Sequence, residues 1–270
     1  TVALLHKTIN CNPLVQAERA DTWTFGAVFS GPGNFENLQA SIDMYNIDIT
    51  DAISTISPVF VYSQCFNADG ASNPTYDVND EYCQMIGRNF NTGERDTVQA
   101  PFVNQGTLKT SGVDLQVNWA LDLDNGGSFS INSLVSVLNE YKLQDSPTEQ
   151  FRNIKGTLAE GGQYDYRLNT TFGYNFGGGK ANVNLVWYHL PEVEDAARAL
   201  TTPTTVLGVE SYNRFSLFAG YQINDRMSLR GGIDNLLDEA PPIVGSNPAA
   251  GDRNADNTNA QYYDILGRHA

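Results

Sequence analysis

The residue types that most often do chemistry in proteins are few and scattered in this sequence. The three histidines, His6, His189 and His269, have neither the HExxH nor the CxxC context of a zinc site. The sequence contains no GxSxG nucleophile motif, no Walker A loop and no GxGxxG that opens a helix. The glycines at 177–179 lie between two alternating stretches, which predicts a hairpin turn and not a phosphate-binding loop. We therefore expect no catalytic residue, no bound cofactor and no enzymatic activity.

One acidic stretch has part of the spacing of a calcium loop. Asp252, Asn254 and Asp256 alternate as calcium ligands do. The glycine expected at the sixth position is Asn257, however, and the glutamate expected at the twelfth is Tyr263. A solvated acidic loop accounts for the same residues, so the sequence predicts no metal site.

Two of the three cysteines lie in one long link between alternating stretches. If that link faces an oxidising compartment, Cys65 and Cys83 are candidates for a disulfide. The bridge would close a loop of about 19 residues and stabilise it by roughly 3 kcal/mol. Two unpaired thiols are the alternative. Cys11 stands apart near the start of the chain, and its state is left open.

Composition and charge restrict the class of protein. The chain has 270 residues and a net charge of −15, with 16 Lys and Arg against 31 Asp and Glu. Such a balance offers no basic surface for phosphates, so nucleic-acid binding is not expected. No apolar run approaches the about 18 to 20 residues of a membrane-spanning helix. Spanning β-strands need no such run, so a membrane protein remains possible.

The elements that would position side chains alternate between apolar and polar residues with a period of two. At 22–29 the apolar face carries Trp23, Phe25 and Phe29, and the stretch 164–176 alternates without a break. The same period runs through 113–119, 129–141, 181–187, 215–223 and 227–233. At 38–49 the apolar face switches between Met44 and Tyr45, which indicates a bulge or a strand end. No stretch has a helical period, so the sequence predicts an all-β fold.

The connections between these stretches alternate strictly between short and long. The tight turns are 31–34, 124–127, 177–180 and 224–226, and the long links are 51–100, 144–161, 191–208 and 237–261. An up-and-down antiparallel sheet would place all the tight turns at one end and all the long links at the other. This asymmetry is typical of an outer-membrane β-barrel, with external long loops and polar residues facing the lumen. A soluble β-sandwich or jelly roll is the alternative.

Four segments, in order, resemble those of the TonB-dependent outer-membrane receptors. The segment 12–23 is similar to "NPxLxPExAdtw", and 103–114 is similar to "vNqGxxxtxGvD". The segment Ile233–Pro242 resembles "DNLFD-x-x-P", and Tyr263–Arg268 resembles "YDxLGR", the start of the last strand in this family.

This resemblance implies a fold, a location and partners. The family has a 22-stranded barrel closed around an N-terminal plug. Residues 1–270 would form the C-terminal part of such a transmembrane β-barrel, without the plug and the first barrel strands. Strand starts are expected near 21, 36, 102, 128, 163, 180, 209, 226 and 262, which makes eight full strands and the start of a ninth. The implied location is the outer membrane of a Gram-negative bacterium. The implied partners are outer-membrane lipid, a small-molecule nutrient and TonB, the last through the missing N-terminal part.

The resemblance implies uptake of a scarce nutrient with energy supplied through TonB. A siderophore, haem, cobalamin and an oligosaccharide are all open as substrates. A passive porin-like channel and a soluble all-β carbohydrate-binding domain remain alternatives. The candidate ligand contacts in the long link are Tyr62, Phe66, Tyr76 and Tyr82, and those on the lumen face are Asp114, Gln116, Asp165, Arg167 and Asn169. The first group has the alternative role of packing the link, and the second that of a hydrated wall.

Overall fold

The chain forms two compact units that share several strands. The computed structural model describes residues 6–32, 37–89, 91–93, 95–147, 149–158, 163–195, 208–243, 258, 263, 267 and 268. The smaller unit comprises residues 1–21, 48–108 and 143–151, and the larger unit comprises 22–47, 109–142 and 152–270.

The described residues form eleven strands and two short helices. The strands are β1 His6–Asn10, β2 Arg19–Ser30, β3 Leu38–Thr55, β4 Ile86–Arg88, β5 Arg95–Asp122, β6 Ser128–Gln144, β7 Arg152–Asn153, β8 Tyr166–Phe176, β9 Ala181–Leu190, β10 Tyr212–Asn224 and β11 Met227–Ile233. The helices are α1 Pro58–Cys65 and α2 Glu81–Gln84. In the part of the chain that the structure describes, neither helix is long and apolar enough to cross a membrane.

The larger unit is a sheet in which strands that follow one another in sequence lie side by side. Its strand order is β11-β10-β9-β8-β6-β5-β3-β2. The pairs from β6 to β11 are antiparallel, with Leu168 opposite His189 and Phe176 opposite Ala181 in the β8–β9 pair. Glycines 177–179 form the tight turn between these two strands, all with positive φ. The prediction of an all-β, up-and-down antiparallel sheet is confirmed.

The eight full strands expected from the sequence are present, with two corrections at their ends. β5 begins at Arg95, earlier than expected, and β3 continues through the switch at Met44 and Tyr45 to Thr55. Of the two alternatives at this switch, a bulge and a strand end, the strand end is excluded. Tyr45 crosses Gly112 of the same unit, where its Cζ lies 2.7 Å from the position that a Cβ would occupy. The ninth strand, expected near 262, lies largely outside the described residues.

The long link 51–100 is more structured than its composition indicates. Strand residues occupy both of its ends, and α1, α2 and β4 lie between them. Pro58 begins α1, a position where its missing N–H costs nothing. The Asp80 side chain accepts a hydrogen bond from the Tyr82 amide at the start of α2. These local signals are too short to produce a helical period.

The smaller unit has further strand pairs on β5 and its own core. On β5, residues 97–101 pair in parallel with β1, and Val98 also pairs with Ile86 of the antiparallel strand β4. The parallel pair is a feature that the alternation did not predict. The core consists of Ile56, Phe60, Val61 and Val98, against which Tyr62, Tyr82, Met85, Ile86 and Val103 pack.

The core of the larger unit lies at the ends of β8, β9 and β10 that adjoin long links. It contains Tyr164, Leu190, Val193, Val209, Tyr212 and Tyr263, with Leu158 and Tyr188 packed against it. The rings of Tyr212 and Tyr263 meet edge to face, with centroids 5.4 Å apart. This core packs residues of the long links against the strand ends.

Candidate functional site

The strand pairing in the larger unit assigns every side chain of β8, β9 and β10 to one of two faces. Residues opposite each other in adjacent strands point to the same side of a sheet. Asn169 lies opposite Tyr188, and Tyr188 lies opposite Arg214. Arg167 is two residues from Asn169 and shares that side, which we call the polar face. The other side, which we call the apolar face, carries Leu168 and its partners.

The polar face gathers charges and aromatic rings. The guanidinium of Arg214 lies 5.8 Å from the centroid of the Tyr188 ring, a cation–π distance. Its Nη1 is 3.8 Å from Oδ2 of Asp234, whose carboxylate also accepts a hydrogen bond from the Ser216 hydroxyl. The charge of Arg167 also acts on the Tyr188 hydroxyl. Tyr188, Arg214 and Asp234 were missed as site residues, because only the pairing between strands reveals that they share a face with Arg167.

Asp114 and Arg167 both lie within electrostatic range of one tyrosine. The hydroxyl of Tyr45 forms a hydrogen bond with Thr110 and interacts with the charges of Asp114 and Arg167. Two further candidates, Gln116 and Asn169, are solvent-exposed in β5 and β8. Asp114 and Arg167 therefore act on the Tyr45 hydroxyl, and Asn169 lies opposite Tyr188 in the strand pairing.

Asp165, the remaining lumen candidate, immediately precedes β8 and already has a partner. Its carboxylate lies 3.4 Å from the Lys155 ammonium, and its carbonyl accepts a hydrogen bond of 2.8 Å from the Leu138 amide. The first contact ties the link residue Lys155 to the start of β8, and the second joins Asp165 to the backbone of β6. Asp165 thus has a local structural role in addition to its candidate one.

In the smaller unit, a groove of about 310 Å³ lies beside a disulfide. The Sγ atoms of Cys65 and Cys83 are bonded at 2.07 Å, with their Cα atoms 4.8 Å apart. The groove is lined by these two cysteines and by Phe66, Tyr76, Val78, Gln84, Ile86 and Arg88. Phe66 and Tyr76 are 47% and 63% exposed, so both rings are available to a ligand. Arg88 provides the one cationic group of the described lining.

The other two aromatic candidates in this link pack beneath the groove. The ring of Tyr62 stacks on Phe66 at 6.1 Å, and that of Tyr82 meets Phe60 edge to face at 5.6 Å. Partial burial, together with the neighbouring charges of Glu81 and Asp80, raises the pKa of Tyr82. The structure therefore brings Phe66 and Tyr76 together and uses Tyr62 and Tyr82 in packing.

Side-chain hydrogen bonds to the backbone shape the turn between α1 and α2. Asn73 is 4% exposed, and its amide donates to the carbonyls of Cys65 and Asp77 and accepts from the Asp77 amide. Asp69 accepts hydrogen bonds from the backbone amides of Ala71 and Ser72, which lower the pKa of its carboxyl to about 2. These bonds give an exposed link a defined shape.

Two of the motif segments are joined in the smaller unit by one asparagine. Asn104 accepts from the Gln16 amide at 2.7 Å and donates to the carbonyls of Gln16 and Asp51. Asn12 donates to the carbonyl of Phe102 at 2.9 Å. The Asn104 side chain thus holds Gln16 through two hydrogen bonds and Asp51 through a third.

The other two motif segments meet in the larger unit. Asn235 is fully buried with a φ of 50°, and its side chain exchanges two hydrogen bonds of 2.9 Å with the backbone of Glu239. Asp238 accepts from both the backbone amide and the guanidinium of Arg268. The Asp238–Arg268 contact joins the segment after β11 to the segment expected to begin the last strand.

No metal centre is found in the described part of the chain, which has no group of three His, Cys, Asp or Glu able to hold an ion. The acidic residues 252–256 lie outside the described residues, as does His269. Cys11 is exposed and is not part of a disulfide.

A sheet of consecutive antiparallel strands with one polar and one apolar face defines the chain as part of an outer-membrane type of β-architecture. The family model "TonB dependent receptor-like, beta-barrel" matches residues 7–236. The chain belongs to this family. No protein of curated function matches it significantly in sequence.

Solved receptor structures share the fold. A mutant of the ferric enterobactin receptor from Pseudomonas aeruginosa superposes with a TM-score of 0.58 at 16% identity, over 94% of this chain and 30% of that one. The siderophore receptor PirA from Acinetobacter baumannii gives 0.54 at 16% identity, over 93% and 30%. The FrpB iron transporter from Neisseria meningitidis gives 0.54 at 11% identity, over 96% and 31%. The chain thus spans about a third of the length of these receptors.

Proposed function

We propose that residues 1–270 form the C-terminal part of the barrel of an outer-membrane receptor that imports a scarce nutrient with energy supplied through TonB. The family match over residues 7–236 is the observation that carries this proposal. In the complete protein, a plug and the first barrel strands would precede this part. The outer membrane of a Gram-negative bacterium is the proposed location, with membrane lipid, TonB and the nutrient as partners.

The proposed ligand contacts lie on the two surfaces described above. The groove offers the exposed rings of Phe66 and Tyr76 for stacking and Arg88 for an acidic group. On the polar face, Arg167 and Arg214 stand beside tyrosines, a setting suited to a ligand with aromatic and anionic parts. Asp114, Gln116, Asp165 and Asn169 complete the set of proposed contacts on this face.

A ferric siderophore is the first substrate to test, and haem, cobalamin and oligosaccharides follow. A ferric siderophore combines anionic and often aromatic groups. Arg88 and the two surfaces lined by aromatic rings suit such a ligand better than a neutral sugar. The similar solved proteins include a ferric enterobactin receptor and an iron transporter, and for this reason we place iron chelates first among the substrates to test.

The test is growth of a strain that lacks the full-length receptor, supplied with one candidate iron source or glycan at a time. Restoring the receptor should restore growth on one substrate class, and removing TonB should abolish it. Growth that persists without TonB would favour a passive channel. Growth on none of the substrates would overturn the proposed class of nutrient.

Variants of the full-length receptor test the two surfaces. Phe66→Ala with Tyr76→Ala should weaken ligand binding about tenfold, as should Arg167→Gln, because each removes a proposed contact. Arg226→Gln, in the tight turn 224–226, is the matched control for the loss of an arginine and should bind normally. Wild-type binding by all variants would leave only the packing and wall roles for these residues.

A further inference from the structure

The apolar face of the larger unit carries a hydrogen-bonded cluster of polar side chains that spans β8, β9 and β10. The hydroxyl of Tyr166 lies 3.1 Å from Nε2 of His189, and Nδ1 of His189 lies 2.9 Å from Oδ1 of Asn213. The indole Nε1 of Trp187 donates to the same Oδ1 at 3.0 Å. We call these four residues the imidazole cluster.

The bonding pattern fixes the role of one ring nitrogen. Oδ1 of Asn213 can only accept, so Nδ1 of His189 carries a proton, and Nε2 of His189 shares a hydrogen bond with the Tyr166 hydroxyl. Both ring nitrogens of His189 therefore have hydrogen-bond partners. The hydrogen bonds within the cluster offset most of the cost of placing these polar groups where water is scarce. The Nδ2 donors of Asn213 are not used within the cluster.

The rings of the cluster form a continuous aromatic surface. Centroids are 5.5 Å apart for Tyr166 and His189, 5.9 Å for His189 and Trp187, and 6.1 Å for Trp187 and Phe215. The two outer pairs are stacked, with interplanar angles of 30° for Tyr166–His189 and 7° for Trp187–Phe215. Tyr166 is 38% exposed, so one end of this surface is open.

The cluster lies at one level of the sheet. Tyr166 begins β8, His189 is next to the end of β9, and Asn213 is next to the start of β10. These strand ends adjoin long links. At the other end of the same face stand Tyr174 and Phe176, whose rings stack at 5.6 Å.

The spacing of these two aromatic levels matches a membrane. Tyr166 and Phe176 are ten residues apart, about 33 Å along a strand at roughly 3.3 Å per residue. A strand tilted by about 40° converts this to a height of about 25 Å, the thickness of the apolar band of an outer-membrane barrel. Between the levels, the face carries Leu168, Phe172, Leu185 and Leu217. The imidazole cluster thus lies at a boundary of the apolar band.

We propose that the imidazole cluster is a binding site for the sugar headgroup of an outer-leaflet glycolipid. Flat rings stack on the apolar faces of sugars, and the Asn213 Nδ2 donors and the Tyr166 hydroxyl suit sugar hydroxyls. The cluster contains no lysine or arginine, and Arg214 points to the polar face, so the side chains that usually bind a phosphate are missing here. This inference rests on the outward orientation of the long links in the proposed function.

The test measures binding of lipopolysaccharide without O-antigen to the full-length receptor in detergent. Asn213→Leu removes the donors and Trp187→Leu removes a ring, and leucine suits a lipid-facing position in both. Each variant should weaken binding tenfold or more. Tyr174→Leu, at the opposite aromatic level, is the matched control and should bind as the unchanged receptor does. Heat-modifiable migration in gels confirms that each variant is folded.

Two further arms separate the sources of binding. Lipopolysaccharide stripped of its phosphates should still bind, whereas phosphatidylethanolamine should not compete with it. Loss of binding on dephosphorylation, or unchanged binding by both variants, would overturn the proposal. Nutrient uptake should be normal in both variants, so a failure of this proposal is distinct from a failure of the proposed transport.

Discussion

The link between β3 and β5 and the sheet of β8, β9 and β10 hold their shapes in different ways. In the sheet, Ala181–Leu190 is paired along its whole length with β10, so each residue contributes little alone. In the link, a disulfide, the buried Asn73 and a few capped turns hold the chain between α1 and α2. The stability of the sheet is thus distributed over many residues, whereas that of the link is concentrated in single residues.

This difference suits the roles proposed for the two regions. Because many backbone hydrogen bonds hold the sheet, side chains on its polar face can be substituted without a loss of register. A link that is fixed at few points leaves most of its surface free to vary, including Phe66 and Tyr76 in the groove. Four predictions test whether stability is concentrated as described.

Removing the disulfide should have the largest effect. The change Cys65→Ser with Cys83→Ser opens a loop of about 19 residues, worth roughly 3 kcal/mol. If local opening controls cleavage, limited proteolysis within 66–82 should accelerate about 100-fold, whereas heat-modifiable migration of the barrel should not change. Cys11→Ser is the control and should be cleaved at the original rate. Cleavage of the double variant at the rate of the unchanged protein would mean that other contacts hold the link.

Asn73→Ala should have the next largest effect. It leaves the buried carbonyl of Cys65 and the partly buried carbonyl and amide of Asp77 without their side-chain partner, at a cost of about 2 to 3 kcal/mol. The same proteolysis assay should show faster cleavage of the link. Asn79→Ala, which removes an exposed amide bonded to Asp77, should change the rate less than about twofold. Similar rates for the two variants would contradict the special role of Asn73.

The sheet should be sensitive at one close approach. A Cβ at Gly112 would lie 2.6 Å from the Val137 carbonyl oxygen, whereas one at Gly173 meets only the side-chain tips of Ser130 and Asn184. Gly112→Ala should therefore lower the free energy of unfolding by about 1 to 2 kcal/mol, and Gly173→Ala by less than about 0.5 kcal/mol. Urea unfolding of the full-length receptor in lipid vesicles measures both. An equal loss of unfolding free energy in the two variants would show that the close approach at Gly112 has no special effect on stability.

Acid should produce the smallest effect, and only in the link. The pKa of Asp69 is lowered to about 2 in the fold, below its ordinary value. Its contribution is therefore complete above about pH 4 and is lost as the pH falls through 2. Hydrogen exchange at the Ala71 and Ser72 amides, corrected for the intrinsic pH dependence, should speed up a few-fold over that interval. Asp69→Asn should flatten the profile, and a flat profile in the unchanged protein would contradict the role of Asp69.

The alternation of side chains predicts the sheet well because each strand carries its own period. It locates β2, β8, β9, β10 and β11 to within a few residues. It cannot predict the parallel pairing of β1 with β5, since register depends on contacts far apart in sequence. The alternation also cannot predict the helices of the link, because α1 has only eight residues and α2 only four.

The candidate sites were harder to predict than the fold. Arg167 and Asn169 were found because they alternate with apolar residues in one strand. Their neighbours Tyr188 and Arg214 come from other strands, so only the observed register brings them together. His189 was set aside for lack of a metal motif, and its hydrogen bonds to two other strands have no signature in a single stretch of sequence.

The crossing of Tyr45 over Gly112 has an evolutionary consequence. The tyrosine ring needs a glycine beneath it, but the glycine is also required by the backbone carbonyl of Val137. Tyr45 therefore depends on Gly112, whereas Gly112 does not depend on Tyr45. Among homologous receptors, we expect position 112 to stay glycine where position 45 has lost its ring, whereas a ring at 45 should not occur without that glycine. The Val137 carbonyl alone thus constrains position 112 to glycine, and the Tyr45 ring adds a second constraint on the same residue.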